Sequence, residues 1–169
     1  MKKGAPVLVV VFGLPGTGKT TFAESLAAHL KLPHYNTDKI RSEMGLRGRY
    51  DPATKTQVYN RMLERTEAEL RDGNHVILDG TFYLKGLRKS LRALAGGYRA
   101  RIYWIEISAG EQTVAERVSR TRPFSEADFA AFTLVKQAFE PLEEEHLTLF
   151  SDRMTAGQML EKALVFIDP

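Results

Sequence analysis

A glycine-rich segment between a strand pattern and a helix pattern constrains this chain more than any other feature. Its eight residues, Gly13–Thr20, read Gly-Leu-Pro-Gly-Thr-Gly-Lys-Thr and match the pattern G-x-x-x-x-G-K-[ST]. The preceding run, Val7–Phe12, is continuously apolar and rich in valine, which is typical of a strand covered on both faces. The following residues, Thr20–Leu30, carry apolar side chains at helical spacing. A glycine-rich loop in this context predicts an α/β fold with a phosphate-binding loop after its first strand.

The loop has a chemical reason for each type of residue. Glycines let the backbone curl, so that successive N–H groups point at phosphate oxygens, and the dipole of the following helix points at the same place. Lys19 would reach the β- and γ-phosphates of a nucleotide, and the Thr20 hydroxyl would coordinate Mg²⁺. The sequence therefore predicts an ATP–Mg²⁺ site formed by Gly13, Leu14, Pro15, Gly16, Thr17, Gly18, Lys19, Thr20 and Thr21.

Strand and helix patterns alternate along the rest of the chain. The predicted strands after the first are 34–36, 76–79, 100–108 and 147–150. The predicted helices after the first are 38–44, 52–72, 84–94 with a stop at Gly96-Gly97, 111–120, 125–139 and 155–167. A final strand at 164–167 is the alternative, but the apolar residues of 159–167 lie at helical spacing. The alternation predicts a three-layer P-loop NTPase fold, with a five-stranded parallel sheet and helices on both faces.

Composition and charge exclude several classes of protein. None of the 169 residues is cysteine, which excludes a disulfide scaffold, a thiolate zinc site and a cysteine nucleophile. The balance of 24 Lys and Arg against 21 Asp and Glu gives +3, too little to indicate nucleic-acid binding by itself. No apolar run approaches the ~18 residues of a membrane span, and Val7–Phe12 lacks a signal-peptide cleavage pattern. We expect a single cytoplasmic domain, 1–169, that does not enter a membrane and is a monomer or weak homodimer.

Two carboxylates follow predicted strands and should lie at the sheet edge that carries the loop. Asp79 could hold Mg²⁺ or bind a substrate hydroxyl there, and helix capping by Asp79 or Thr81 is the alternative. Asp38 could accept the proton of an attacking hydroxyl. Arg41, three residues later, could bind an acceptor phosphate or another anion, although a surface ion pair between Asp38 and Arg41 remains an alternative.

The third group of candidate residues is a run of arginines. Arg117, Arg120 and Arg122 precede Pro123 and would neutralise charge on a transferring phosphoryl group from a lid at about 117–125. The four histidines have no metal-ligand spacing, so we interpret them as structural. An N-K-x-D guanine-recognition motif is absent from the sequence, which argues against a GTPase.

The order of these motifs resembles that of small P-loop kinases. The set comprises Gly13–Thr20, Asp38-x-x-Arg41, Asp79-Gly-Thr81 with Arg88 downstream, and Arg117-x-x-Arg120-x-Arg122. It is similar to the predicted-kinase branch that includes the 5′-kinase domain of polynucleotide kinases. The zeta-toxin-like and chloramphenicol-phosphotransferase-like kinases are more distant relatives.

The resemblance implies roles for individual residues on the acceptor side. Asp38 matches the family's general base, and Arg41 matches the acceptor-side arginine beside it. Asp79 matches the acid of a D-x-T-N element, and Arg88 matches an arginine downstream of that element. The asparagine of the element is replaced by Phe82, which weakens the inference of acceptor specificity but not of phosphoryl transfer.

On the donor side, the resemblance implies that Arg120 or Arg122 is a lid arginine that contacts the phosphates. The chain is therefore predicted to be a kinase that transfers the γ-phosphate of ATP to a hydroxyl of a nucleic-acid 5′ end or of a small metabolite. A nucleotide-binding ATPase or switch protein without an acceptor is one alternative, and an antibiotic- or toxin-type small-molecule kinase is another. Asp38 separates the first two, because a switch protein needs no base on an acceptor side.

Overall fold

A five-stranded, all-parallel sheet organises the chain, with the strand order β2-β3-β1-β4-β5. The computed structural model describes residues 4–121, 126–143 and 145–167. The strands are β1 (Val7–Phe12), β2 (His34–Asn36), β3 (Val76–Asp79), β4 (Arg101–Ser108) and β5 (His146–Phe150). The helices are α1 (Lys19–Leu30), α2 (Thr37–Glu43), α3 (Pro52–Arg71), α4 (Lys85–Gly97), α5 (Glu111–Thr121), α6 (Glu126–Gln137) and α7 (Ala156–Ile167).

The central strand β1 is buried on both faces, as its unbroken apolar run predicted. Its side chains alternate between two cores. Val7, Val9 and Val11 pack with residues of α1 and α7. The other side chains of the strand pack on the opposite face, with residues of α3 and α4; they are Leu8, Val10 and Phe12. The predicted three-layer fold with helices on both faces is therefore confirmed.

In two segments, the structure tests the strand and helix bounds that the sequence predicts. The carboxyl-terminal region forms β5 followed by α7, which confirms the preferred interpretation and excludes a strand at 164–167. Helix α4 does not stop before its glycines but continues to Gly97. The chain turns only at Arg99, whose φ is +54°, and the N–H of Ala100 bonds the Ala95 carbonyl oxygen at 2.8 Å. Burial of Ala95 holds this last turn, because a glycine costs a helix only about 1 kcal/mol relative to alanine.

Four residues of the predicted lid, 122–125, lie outside the described residues. Helix α5 ends at Thr121 and α6 begins at Glu126, so Arg122, Pro123 and Ser125, the first residue of the predicted helix 125–139, all lie outside the described part of the chain. The lid therefore stays a prediction. Within the described ranges, no helix combines the length and the hydropathy that crossing a membrane would require.

The sheet register brings three strand ends together. Val11 of β1 and Asn36 of β2 both pair with Asp79, the last residue of β3. Because the strands are parallel, the residues that follow each of them emerge at the same edge. The glycine-rich loop after β1 and helix α2 after β2 therefore lie on either side of Asp79.

Candidate active site

The glycine-rich loop has a backbone that other residues would strain. Gly13 has φ +142°, and a Cβ atom there would lie 2.3 Å from the carbonyl oxygen of Ile107. Gly16 has φ +77°, and its Cβ would lie 2.9 Å from a methyl group of Val114. Both positions need glycine for conformation and for space. The loop leads into α1 through Gly18, its left-handed N-cap.

The other predicted nucleotide-binding residues complete the loop and the start of α1. Thr17 is buried, and its hydroxyl donates to the Leu14 carbonyl oxygen at 2.9 Å. Leu14 and Pro15 are half-buried, whereas Thr21 is exposed on α1. The structure therefore places these residues in one continuous segment between β1 and the first turn of α1, and their nucleotide-binding role stays a prediction.

Lys19 is directed into the loop rather than into solvent. Its ammonium group donates to the carbonyl oxygen of Leu14 at 2.7 Å. Burial lowers the pKa of Lys19 to about 8, while the negative charges of Asp79 and Asp38 act in the opposite direction. A partly buried ammonium is suited to receive an anion, because phosphate oxygens would restore the interactions it lost with water.

Asp79 is fully buried beside Lys19 and Thr20. One of its carboxylate oxygens accepts a hydrogen bond from the Asn36 amide at 2.6 Å, and the same amide nitrogen lies 3.2 Å from the Thr20 hydroxyl oxygen. Burial alone would raise the pKa of Asp79, but the nearby imidazole of His34, whose Nε2 lies 3.6 Å from the carboxylate, and the positive charge of Lys19 outweigh it and lower the pKa. Asp79 therefore stays ionised at neutral pH.

The residues around Asp79 fit a magnesium ion. The second carboxylate oxygen, Oδ1, is buried and has no hydrogen-bond partner, so a strong acceptor is left for a cation. The Thr20 hydroxyl adds a second oxygen, and the described residues contain no cluster of three His, Cys, Asp or Glu that would make an all-protein cage. One carboxylate, one hydroxyl, waters and phosphate oxygens are the ligand set that Mg²⁺ favours at nucleotide sites.

Asp38 and Arg41 form an ion pair on α2, but it is not a surface pair. The side chain of Asp38 is 71% exposed, whereas that of Arg41 is only 7% exposed. The guanidinium carbon of Arg41 lies 4.4 Å from the ring centroid of Tyr50, and the Arg41 Nε is buried without a hydrogen-bond partner. Arg41 is thus a desolvated cation with unused hydrogen-bonding capacity beside an accessible carboxylate.

Asn36 is a site residue that the sequence analysis missed. Its side-chain oxygen accepts hydrogen bonds from the N–H groups of Asp38 and Lys39, both at 2.9 Å, and so caps α2. Its amide nitrogen contacts Asp79 and Thr20. One side chain therefore fixes the helix that carries Asp38 relative to the loop. The available signal was an asparagine directly before a predicted helix, which is a preferred N-cap residue.

Residues 80–84, which join β3 to α4, pack next to Asp79. The Tyr59 hydroxyl lies 3.2 Å from the Thr81 hydroxyl and accepts a hydrogen bond from the Phe82 N–H at 3.3 Å. Phe82 is buried with φ +42°, and its ring centroid is 5.4 Å from that of Tyr59. Neither Asp79 nor Thr81 caps a helix, since α4 has Leu84 as its N-cap. The aromatic contact explains how phenylalanine fits at the position where the resembling family has asparagine.

Arg88 has a structural position rather than an open one. It is 2% exposed, and its guanidinium donates to the carbonyl oxygens of Phe82, Glu140 and Pro141 at 2.8, 2.7 and 3.1 Å. These hydrogen bonds join the segment after β3 to the segment after α6. They leave no open face toward Asp38, so we do not carry the predicted substrate-binding role of Arg88 into our proposal.

The structural position of Arg88 is testable by substitution. We expect Arg88→Met to lower the free energy of unfolding by about 2–4 kcal/mol, because it leaves buried carbonyl oxygens without donors. Lys89→Met, an exposed change one residue away on the same helix, should stay within about 0.5 kcal/mol of the wild type. Urea denaturation of both variants measures the difference. Wild-type stability of Arg88→Met would reopen the substrate-binding role.

The structure differs in how much it shows of each predicted lid arginine. Arg120 belongs to α5, and Arg122 lies outside the described residues. Arg117, the first of the three candidate arginines, does reach the loop: its guanidinium donates to the Thr17 carbonyl oxygen at 3.3 Å and to the Ser151 hydroxyl at 2.8 Å. A sequence pattern could not find this contact, because Thr17, Arg117 and Ser151 are far apart along the chain.

Comparison with known proteins assigns the chain to a family. A family model described as AAA domain matches residues 8–142, which include the loop, Asp38, Asp79 and Arg88. The chain belongs to this AAA domain family. It is 32% identical over 146 residues to an uncharacterized protein of Mycobacterium tuberculosis, covering 78% of this chain but only 29% of that protein. It is 30% identical over 129 residues to an adenylate kinase of Oenococcus oeni, covering 65% of this chain and 66% of that enzyme.

Solved structures show the same fold in kinases. A candidate kinase from Chloroflexus aurantiacus superposes with a TM-score of 0.79 at 22% identity, covering 98% of this chain and 100% of the other. The adenylylsulfate (APS) kinase CysC of Mycobacterium tuberculosis, solved with AMPPNP and APS, gives 0.75 at 15% identity, covering 98% and 99%. A gluconokinase from Sinorhizobium meliloti gives 0.74 at 18% identity, covering 96% and 92%. This AAA domain family member therefore has the P-loop kinase fold.

Proposed function

We propose that the protein is an ATP-dependent kinase that transfers the γ-phosphate to a hydroxyl of an acceptor bearing an anionic group. The observation that carries this proposal is the pair on α2: an accessible carboxylate, Asp38, bound to a desolvated arginine, Arg41, at the sheet edge that holds the phosphate loop. The kinases of the same fold support phosphoryl transfer. A nucleic-acid 5′-hydroxyl end, which the resemblance to polynucleotide kinases implies, and a small phosphorylated metabolite are the acceptors we propose to test first.

The donor side of the reaction uses the loop and the residues around Asp79. Backbone N–H groups of Gly13–Thr20 and the Lys19 ammonium would bind the β- and γ-phosphates. Thr20 and Asp79 would hold Mg²⁺, which when bound neutralises charge that develops on the phosphate oxygens. Asn36 keeps Thr20 and Asp79 in contact and so maintains this geometry.

The acceptor side uses α2. Arg41 would bind the acceptor's anionic group through its free hydrogen-bonding capacity, which places the acceptor hydroxyl near Asp38. Asp38 would accept the hydroxyl proton as the oxygen attacks the γ-phosphorus and the bond to the β-phosphate oxygen breaks. Products are ADP and the phosphorylated acceptor. A switch protein or a simple ATPase binds no acceptor and would need neither the Asp38 carboxylate nor the Arg41 guanidinium at these positions.

A transfer screen tests the proposal directly. Purified protein is incubated with Mg²⁺ and γ-labelled ATP, together with 5′-hydroxyl oligonucleotides, nucleotides, phosphorylated and neutral sugars, or aminoglycosides. We expect label in an anionic acceptor above the rate of hydrolysis to inorganic phosphate. Hydrolysis alone across the whole set would favour an ATPase, and exclusive labelling of cationic aminoglycosides would contradict the assigned role of Arg41.

The lowered pKa of Lys19 predicts a pH dependence of ATP binding. Phosphate oxygens favour the charged ammonium, so ATP binding should take up a proton where free Lys19 is deprotonated, above about pH 8. Since the fraction of charged lysine falls about ten-fold between pH 7 and pH 9, ATP affinity should fall by about the same factor. Calorimetric titrations in buffers of different ionisation enthalpy measure both the affinity and the proton uptake.

The conservative variant Lys19→Arg is the control for this dependence. Its guanidinium stays charged across the same range, so the affinity should be nearly constant from pH 7 to pH 9 whatever its absolute value. The ATP phosphates are themselves fully ionised above pH 8 and add no dependence there. An equal slope in the wild type and in Lys19→Arg would show that another group titrates.

A further inference from the structure

The carbonyl oxygen of Thr17, within the phosphate loop, is held from outside the loop. The Ser151 hydroxyl donates to it at 2.6 Å, and the Arg117 guanidinium lies 3.3 Å away as a second donor. The same guanidinium donates to the Ser151 hydroxyl oxygen at 2.8 Å and to the Ser151 carbonyl oxygen at 3.0 Å. Arginine, serine and loop carbonyl therefore form one connected chain of hydrogen bonds, which strengthens each member.

Both donors come from fixed elements of the fold. Ser151 directly follows β5, and its backbone N–H donates to the Ser108 carbonyl oxygen at 2.9 Å, which continues the β4–β5 pairing by one step. Arg117 lies on α5, the helix whose Val114 packs against Gly16. The orientation of Ser151 is thus set by the sheet, and the loop is joined to a strand end more than one hundred residues away.

The consequence for the loop follows from peptide geometry. The peptide between Thr17 and Gly18 is planar and trans, so its N–H points opposite to its carbonyl oxygen. With the carbonyl fixed toward Ser151 and Arg117, the Gly18 N–H is directed away from them. Gly18 has φ +94°, and its flexible backbone would otherwise allow this peptide to rotate.

We propose that Ser151, together with Arg117, is a positioning residue that preorients the Gly18 N–H for the donor phosphates. This inference rests on the proposed function, because it assumes that the loop binds nucleotide. Ser151 itself need not touch the nucleotide. It acts by lowering the freedom of one peptide before binding, so that less conformational entropy is lost when phosphate binds.

A purely structural contact between β5 and the loop makes a different prediction. It would lower the melting temperature of a Ser151 variant but leave the ATP affinity of the folded protein unchanged. A positioning role moves the affinity and also moves the amide resonance of Gly18, even where the protein remains folded. The ATP affinity of the folded protein is therefore the readout that separates the two roles, and the Gly18 resonance reports whether the peptide has changed.

The experiment compares three serine variants of the full chain. Ser151→Ala removes the hydroxyl, Ser151→Thr keeps it, and Ser90→Ala removes an exposed hydroxyl on α4 that bonds only its own helix. Mg-ATP affinity is measured by calorimetry, stability by thermal melting, and the Gly18 amide by ¹⁵N-labelled spectra. We expect Ser151→Ala to bind ATP about three- to ten-fold more weakly, the effect of one hydrogen bond, with a shifted Gly18 resonance.

The controls decide the outcome. Ser151→Thr and Ser90→Ala should bind ATP within two-fold of the wild type. Because Arg117 acts on the same carbonyl, Ser151→Ala combined with Arg117→Met should lose less affinity than the product of the two single losses. Ser151→Ala with wild-type ATP affinity overturns the inference alone, whatever the position of the Gly18 resonance. Wild-type protein that binds no ATP overturns the proposed function instead.

Discussion

Asp38→Asn is expected to lower the rate of phosphoryl transfer by about 10²–10⁴-fold, the usual cost of removing a general base. The substitution keeps the size and shape of the side chain and removes only its capacity to accept a proton. Asp38 follows β2 on the acceptor side of the site, so ATP affinity should change little. Loss of a negative charge near Lys19 would even strengthen nucleotide binding slightly, since that charge acts on the lysine. Single-turnover transfer and ATP titration of the same variant measure both quantities.

The alternative interpretation of Asp38 predicts the opposite pattern. If it served only to pair with Arg41, an ion pair with one fully accessible partner would contribute about 0–1 kcal/mol to stability and nothing to chemistry. Asp72→Asn makes the same chemical change in an exposed aspartate paired with Arg71 at the end of α3, and should transfer phosphate at the wild-type rate. Transfer by Asp38→Asn within a few-fold of this control would leave the protein without its proposed base.

Lys19→Ala is expected to bind ATP about ten- to 100-fold more weakly, because a charge-assisted hydrogen bond is worth about 1.5–3 kcal/mol. Transfer at saturating ATP should fall by about 10²–10³-fold, since the ammonium also neutralises charge that grows in the transition state. The fold should survive. Burial already disfavours the charged form of Lys19, as its lowered pKa shows, so the substitution removes an unfavourable group rather than a packing contact.

Lys162→Met is the matched control for the loss of a positive charge. Lys162 is exposed on α7, on the face of the sheet that packs with α1, and its removal should alter neither ATP affinity nor melting temperature. Thermal melting of Lys19→Ala should give the wild-type value or a slightly higher one. Wild-type ATP affinity in Lys19→Ala would remove the phosphate-loop assignment, and a collapsed melting transition would show that Lys19 is part of the core.

The donor half of the site could be predicted because its signals are local. A loop that must curl around phosphate needs glycine at fixed positions, and the positive φ values of Gly13, Gly16 and Gly18 agree with that requirement. Parallel strands bring their carboxyl ends to one edge, so the positions of Asp38 and Asp79 followed from the strand pattern. Their chemical roles stay predictions until the substitutions are measured.

Other parts of the site carry no local signal. Arg88 has the charge of a ligand-binding residue, yet three backbone carbonyl oxygens occupy its guanidinium. The three-residue spacing of Asp38 and Arg41 is typical of a surface ion pair. Arg41 is instead buried next to Tyr50, and its Nε has neither solvent contact nor a hydrogen-bond partner. In both cases the hydrogen-bond donors can be read from the sequence. Their function depends on which acceptors the tertiary structure places within hydrogen-bonding distance.

The sequence by itself determined the alternation of strands and helices, the parallel sheet, the loop geometry and the sheet edge at which the candidate site residues lie. These features depend on apolar periodicity and on glycine conformation, which act over a few residues. Only the tertiary structure decided that Asn36 joins Thr20 to Asp79, that Arg88 is internal, and that Ser151 and Arg117 hold the loop. Apart from the bond between Arg88 and Phe82, these contacts join residues 16 to 134 positions apart, and no local pattern specifies which distant donor meets which acceptor.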